Sequence, residues 1–263
     1  MQNPPREVII VYFASIIFWM LVVGVIWLSG QRWERVRAFR NRMQEQWRIA
    51  LLITVVYMAS AFLSGHGINP YGPAIFCQAI LGLAIAESIS DFEPIPVIQS
   101  ILRRDRVINR LVLFVIIGLM AGAFGMAFGS MGMDIARSIF HETIYTSEAM
   151  QEFPVNKFQT FFMFLAGAGI AEETTYRLLL LSLLWTLTKQ RWLAIIASAL
   201  FFGAYHLTPL NGMYLTFLKF PISQFVASTF IGTVWGYVFV KRGYETAVLA
   251  HTISDWFPVL LFM

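Results

Sequence analysis

Polar positions in this chain are few and bunched, and long apolar runs separate them. Eight apolar segments can be drawn, over residues 9–29, 49–64, 74–90, 111–129, 156–188, 191–207, 219–240 and 245–262. Most approach the roughly 20 residues that a helix needs to cross a hydrocarbon core. The second and third are short, which allows a tilted, kinked or re-entrant course. "GHGINPYGP" between them is rich in Gly and Pro and should break the helix. The pattern predicts an all-α fold, a polytopic membrane helix bundle of about eight transmembrane spans. It divides into an N-terminal region, residues 1–150, and a C-terminal region, residues 151–263, with about four spans in each.

Composition agrees with the pattern. Hydrophobic residues make up 58% of the 263 and charged ones 13%, and mean hydropathy is +0.67. Such a chain has lipid for much of its solvent. The net charge of +4 is clustered in short loops, which suits membrane orientation and gives no support to nucleic-acid binding. A single cysteine, Cys77, excludes an internal disulfide and a cysteine-based zinc site. The first apolar run is too long for a signal-peptide core and its basic cluster follows it, so an uncleaved first span is expected.

Basic loops set an expected orientation. "QRWERVRAFRNRMQEQWR" carries six arginines, and "RRDRVINR", Lys189 with Arg191, and Lys241 with Arg242 fall on the same side if the spans alternate. Residues 130–157 are acidic and fall on the other. Both termini are then outside, and the basic loops are cytoplasmic. The arginine-rich stretch can also be read as an amphipathic helix on anionic lipid. Gly118, Gly122, Gly125 and Gly129 form two small-xxx-small pairs, which should let a neighbouring helix approach closely.

Against this background a few ionisable residues stand out. Glu172, Glu173, Arg177, His206, His251 and Asp255 lie inside apolar segments, where one charge costs roughly 2.5 to 3.5 kcal/mol to insert. Lys219 sits near a segment edge and can snorkel. With a hairpin apex near Gln190, Glu172 is eighteen residues before the turn and His206 sixteen after it. At about 1.5 Å per residue the two reach one depth. His251, nine residues past Arg242, should sit somewhat shallower.

Spacing within each helix divides the labour. Glu173 and Arg177 are four apart and form a neutralising pair. Glu172 is turned away from that arginine and faces something else. Asp255, four residues after His251, can orient or charge the imidazole. Singly, each element can be no more than glue between helices. Three elements that converge in lipid point instead to a site, and a carboxylate facing two histidines without a paired Ser or Cys points to activated water. Hydrolysis of an amide or ester is the natural class. "HETIY" at His141 has Tyr145 where a zinc-protease helix needs its second histidine, and "FGSMG" around Ser130 is no G-x-S-G motif.

"EETTYR" (Glu172 to Arg177), "FGAYH" (Phe202 to His206) and "HTISD" (His251 to Asp255) resemble E-E-x-x-x-R, F-x-x-x-H and H-x-x-x-N/D. These are the three ordered motifs of the CAAX-protease and bacteriocin-processing family of intramembrane endopeptidases, and eight spans fit its prenyl-protease members. The resemblance covers roughly residues 156–260. It implies a cavity open to the cytoplasm, with Glu172 activating the hydrolytic water and His206 assisting. It implies that His251 with Asp255 stabilises the oxyanion, and that Glu173 and Arg177 support the site. No cofactor is expected on the glutamate mechanism. On the metal-dependent alternative, Glu172, His206 and His251 would be zinc ligands. Expected partners are membrane lipids and a peptide or lipidated protein substrate, in a prokaryotic plasma membrane. A non-catalytic scaffold, a bacteriocin self-immunity protein and a proton-coupled transporter remain as other readings.

Overall fold

Helix forms wherever the apolar runs lie. The structure, a computed structural model, describes residues 6–67, 69–142, 156–208 and 222–262. Among the described residues every regular element is helical. They are α1 (Arg6–Ser29), α2 (Glu34–Ala61), α3 (Gly72–Ala86), α4 (Pro96–Arg103), α5 (Val107–Phe140), a composite α6 over 157–188, α7 (Arg191–Tyr205), α8 (Ile222–Arg242) and α9 (Tyr244–Phe262). The expected breaker acts where expected. Helix α2 ends in a π turn, Phe62–His66, and Gly65 (φ 86°) and Gly67 (φ 73°) take backbone angles that other residues rarely adopt.

Each of the eight expected segments falls largely within helix. Four helical stretches, Ile10–Ser29, Val36–Gly65, Val107–Phe140 and Ile222–Arg242, are long and apolar enough to cross a membrane. Helices α3 and α7 have 15 residues each, short of a full crossing. The all-helical architecture is as expected, and four candidate spans are present among the described residues.

Two segments expected as loops are helix instead. Helix α2 begins at Glu34, so Arg37, Arg40 and Arg42 ride its first turns, continuous with the apolar stretch that follows. Arg37 donates to Gly30 O at 3.4 Å, and the Arg40 guanidinium lies 5.7 Å from the Trp27 ring centroid, folding the basic face back on the end of α1. Helix α5 runs on to Phe140 through residues expected in the acidic loop. Just beyond it, Glu142 of the "HETIY" decoy accepts from Ile222 N at 2.6 Å and Ser223 N at 3.1 Å, and from the Ser223 hydroxyl. It satisfies free N–H groups at the start of α8, a capping duty rather than a catalytic one. Lys219, Tyr145 and most of the remaining acidic stretch lie outside the described residues.

The glycine stripe on α5 packs as its spacing predicts. A Cβ on Gly118, Gly122 or Gly125 would meet Leu249, Ile253 or Ser254 of α9 within 2.5–2.8 Å, and one on Gly129 would meet Ile231 of α8 at 3.2 Å. Helix α5 thus clamps α8 and α9, the two helices that bring Trp235 and His251 to the interior. On the other side, the core of α3, α6, α7 and α8 includes Ile75, Leu83, Leu178, Leu181, Ile195 and Phe239, all fully buried. Outward positions such as Phe18, Leu21, Val55, Met120 and Phe201 are exposed and apolar, as a lipid-facing surface requires.

Helix α6 is the irregular one. It is α-helical over Lys157–Phe164 and Ser182–Thr188, and between them two π-helical stretches, Leu165–Glu172 and Thr174–Leu181, meet at Glu173. π-Helix is rare, short and concentrated at functional sites, because the wider turn re-aims side chains at a cost in hydrogen-bond geometry. Here it covers the "EETTYR" motif on both sides of Glu173.

Candidate active site

The site is built outward from the most buried charges. Glu173 and Arg177 are 0% exposed, and Arg177 Nη1 stands 3.2 Å from Glu173 Oε1. Arg177 Nη2 also donates to Gly232 O on α8 at 3.1 Å. Its guanidinium lies over Phe202 of α7 (4.4 Å to the centroid) and near Trp235 of α8 (5.6 Å). Each neighbour offsets part of the cost of a buried cation, through countercharge, carbonyl dipole and ring quadrupole. The neutralising pair read from the four-residue spacing is present.

Glu173 has a second duty that the spacing did not reveal. The same oxygen, Oε1, stands 2.8 Å from His251 Nδ1. A carboxylate accepts, so Nδ1 carries the proton and Nε2 is turned to the opposite side. There Glu172 Oε2 and Asp255 Oδ2 each lie 3.7 Å from Nε2. The orienting partner of the imidazole is therefore Glu173, and Asp255 stands on its other edge. Trp235 stacks on the ring, with centroids 3.7 Å apart and planes 26° from parallel. His251 was expected to sit shallower than the carboxylates; it is in direct contact with one of them.

His206 reaches the group through aromatic rings. It closes the C-terminal end of α7, where Nδ1 lies 2.8 Å from Phe202 O. A carbonyl can only accept, so this nitrogen holds the proton, and in the neutral form of the ring the lone pair is at Nε2. Phe202 stands between the histidines, 4.7 Å from the ring of His206 and 5.7 Å from that of His251.

Exposure separates the acids. The Glu172 side chain is 22% exposed and that of Asp255 34%, whereas Glu173 is sealed. Glu172 opens onto a cavity of about 510 Å³, whose wall is shared by α6, α7 and the N-terminal helices α1, α2 and α3. Trp235, Gly232 and the cavity wall from α1 to α3 carry no charge that marked them in the sequence. Among the described residues, no group of three His, Cys, Asp or Glu side chains is arranged to hold a metal ion. That geometry does not favour Glu172, His206 and His251 as a zinc set, and no step below is routed through a metal.

A carboxylate open to a cavity thus stands beside an imidazole whose tautomer a second, buried carboxylate sets. Residues 154–257 match the family model of the type II CAAX prenyl endopeptidases, described as Rce1-like. The match covers less than half of the chain and agrees with the CAAX-protease family that the three motifs resemble, a family that suggests an intramembrane peptidase. Neither a curated protein nor a solved structure matches the chain.

Proposed function

We propose that the chain is an intramembrane endopeptidase that cuts a peptide bond near the C-terminus of a lipidated or membrane-associated substrate with activated water. The observation that carries this reading is the position of Glu172, facing the cavity and 3.7 Å from the imidazole that Glu173 orients. At that distance the two groups are too far apart for a direct hydrogen bond and well placed to share a water.

In this mechanism Glu172 takes a proton from the water as it attacks the scissile carbonyl. His206, with its lone pair at Nε2, assists the transfer. His251 Nε2 and Asp255 flank the point where negative charge develops, and the imidazole supplies the oxyanion donor when it carries a second proton. Collapse of the tetrahedral intermediate breaks the C–N bond, and the proton held by Glu172 passes to the leaving amine. Glu173 and Arg177 hold the array without touching substrate. The mechanism needs no metal or other cofactor.

The basic residues on α2, before α5, and at Lys189, Arg191, Lys241 and Arg242 support an orientation with both termini outside. The test is purification in detergent, followed by cleavage of a peptide panel, lipidated and not, with Glu172→Ala as control. Cleavage by the wild type alone supports the enzyme. Equal results from the two proteins would favour a scaffold or an immunity protein.

A further inference from the structure

The wall of the cavity opposite Glu172 is made by the part of the chain that the family match leaves out. From α1, Tyr12 and Ser15 face it, from the α2–α3 region Tyr71 and Gln78, and from α6 and α7 Thr175, Tyr176 and Tyr205. Several of these are already joined. Thr175 Oγ1 donates to Gln78 Oε1 at 2.9 Å, Gln78 Nε2 donates to Tyr71 OH at 3.4 Å, and Tyr71 OH lies 3.2 Å from Ser15 Oγ. Thr175 and Glu172 line the same cavity, so this neutral array shares it with the carboxylate.

The charge content of the wall is one-sided. Its described lining residues include one acid, Glu172, and no Lys, Arg or His. The nearest cation in the motif, Arg177, is fully buried and already holds Glu173 and Gly232 O. It is not available as a counterion to anything in the cavity. An anion placed there would meet the carboxylate across a low-dielectric space, and no cation among the described lining residues offsets the repulsion. Uncharged hydroxyl and amide groups, by contrast, are suited to the N–H and C=O of an extended peptide.

We propose that this cavity is a specificity subsite for a peptide segment free of acidic groups, and that Gln78, buried behind Thr175 and Tyr71, is the positioning residue that sets its charge. The carboxamide, held between Thr175 and Tyr71, keeps the array electrically neutral and fixes the two hydroxyls that face the substrate backbone. Acidic side chains are rejected by the field of Glu172, and a terminal carboxylate must lie beyond the lining. The inference rests on the peptidase reading for its substrate and adds the sign of charge that the substrate segment can carry.

The experiment uses the full chain in nanodiscs and one peptide from the cleaved panel. That peptide is made with Gln, Glu or Lys at the two positions on either side of the cut, and both binding, by fluorescence anisotropy, and cleavage are read. Wild type should prefer Gln over Glu by at least about tenfold, the factor expected of about 1.4 kcal/mol of uncompensated repulsion. Gln78→Glu should widen that ratio and move preference toward Lys, whereas Gln78→Met should weaken all three alike. A structural role for Gln78 would lower every peptide equally in both variants. Equal handling of Gln and Glu peptides by wild type, or a ratio that Gln78→Glu leaves unchanged, overturns the proposal. If no peptide of the panel is cut, the same ratios are read by anisotropy on its best-bound member. Selective binding there would sink the peptidase reading and leave this one standing.

Discussion

Oε1 of Glu173 lies 2.8 Å from Nδ1 of His251, and the same oxygen lies 3.2 Å from Nη1 of Arg177. One carboxylate therefore both neutralises the buried cation and sets the tautomer of the imidazole. Removing it strands Arg177 in the bundle, a loss that costs about 3–5 kcal/mol where a buried pair is broken. Glu173→Ala should lower yield and thermal midpoint in detergent, and activity should fall with it. A variant with the wild-type midpoint would show that the pair is not a structural element.

Gly232 tests the other support of the cation. A Cβ there would stand 3.0 Å from Phe202 Cδ1 and 3.1 Å from Arg177 Nη2, and neither group can retreat, since each is buried against the other. Gly232→Ala should cost about 1–3 kcal/mol through overpacking. Gly132→Ala, on α5 with nothing within 4 Å of its Cβ position, is the control and should leave the midpoint unchanged or slightly raised. Equal midpoints for the two variants would contradict the packing described around Arg177.

Much of this architecture was legible in the chain. Charges in lipid are costly enough that their positions announce themselves, so Glu172, Glu173, Arg177, His206, His251 and Asp255 could be singled out from spacing alone. The stripe from Gly118 to Gly129 predicted close packing, because only small residues admit it. What the sequence could not show was carried by neutral groups and by helix irregularity. Trp235 is one apolar residue among many until α8 places it on His251. The π-helical course of α6 changes which side chains share a face, so a regular 100° step could not reveal that Glu173 reaches His251 as well as Arg177. The arginines of α2 were read mainly as a loop because charge masks helical periodicity at a span edge.

Orientation is testable without activity. A reporter fused after Arg42 should report cytoplasm, and one inserted near Glu148 should report the opposite side. The reverse result at both positions would overturn the orientation read from the basic residues.

Metal use has a direct assay. Cleavage by the purified protein should survive prolonged treatment with a strong zinc chelator, changing by less than about twofold, since general acid–base groups alone carry the steps assigned above. Elemental analysis of the active preparation should show well under one equivalent of zinc. Loss of activity on chelation, restored by added zinc, would reverse the assignment and return Glu172, His206 and His251 to the role of ligands.

The residues flanking His251 separate catalysis from support. Glu172 is partly open to the cavity and unpaired with Arg177, so Glu172→Ala should fold normally and lose at least about 100-fold in cleavage, the lower range for a general base. His206→Ala should behave similarly, because the lone pair at Nε2 disappears while the surrounding rings remain. Asp255→Asn is expected to be milder. Glu173 still fixes His251 from the other edge, and the new amide can donate toward the oxyanion, so activity should stay within about tenfold of wild type. Kinetics on the three variants, each checked for a normal thermal midpoint, give the order. If Asp255→Asn loses as much as Glu172→Ala, then the 3.7 Å contact between Asp255 and Nε2 tightens during the reaction, and the anion at that position is indispensable.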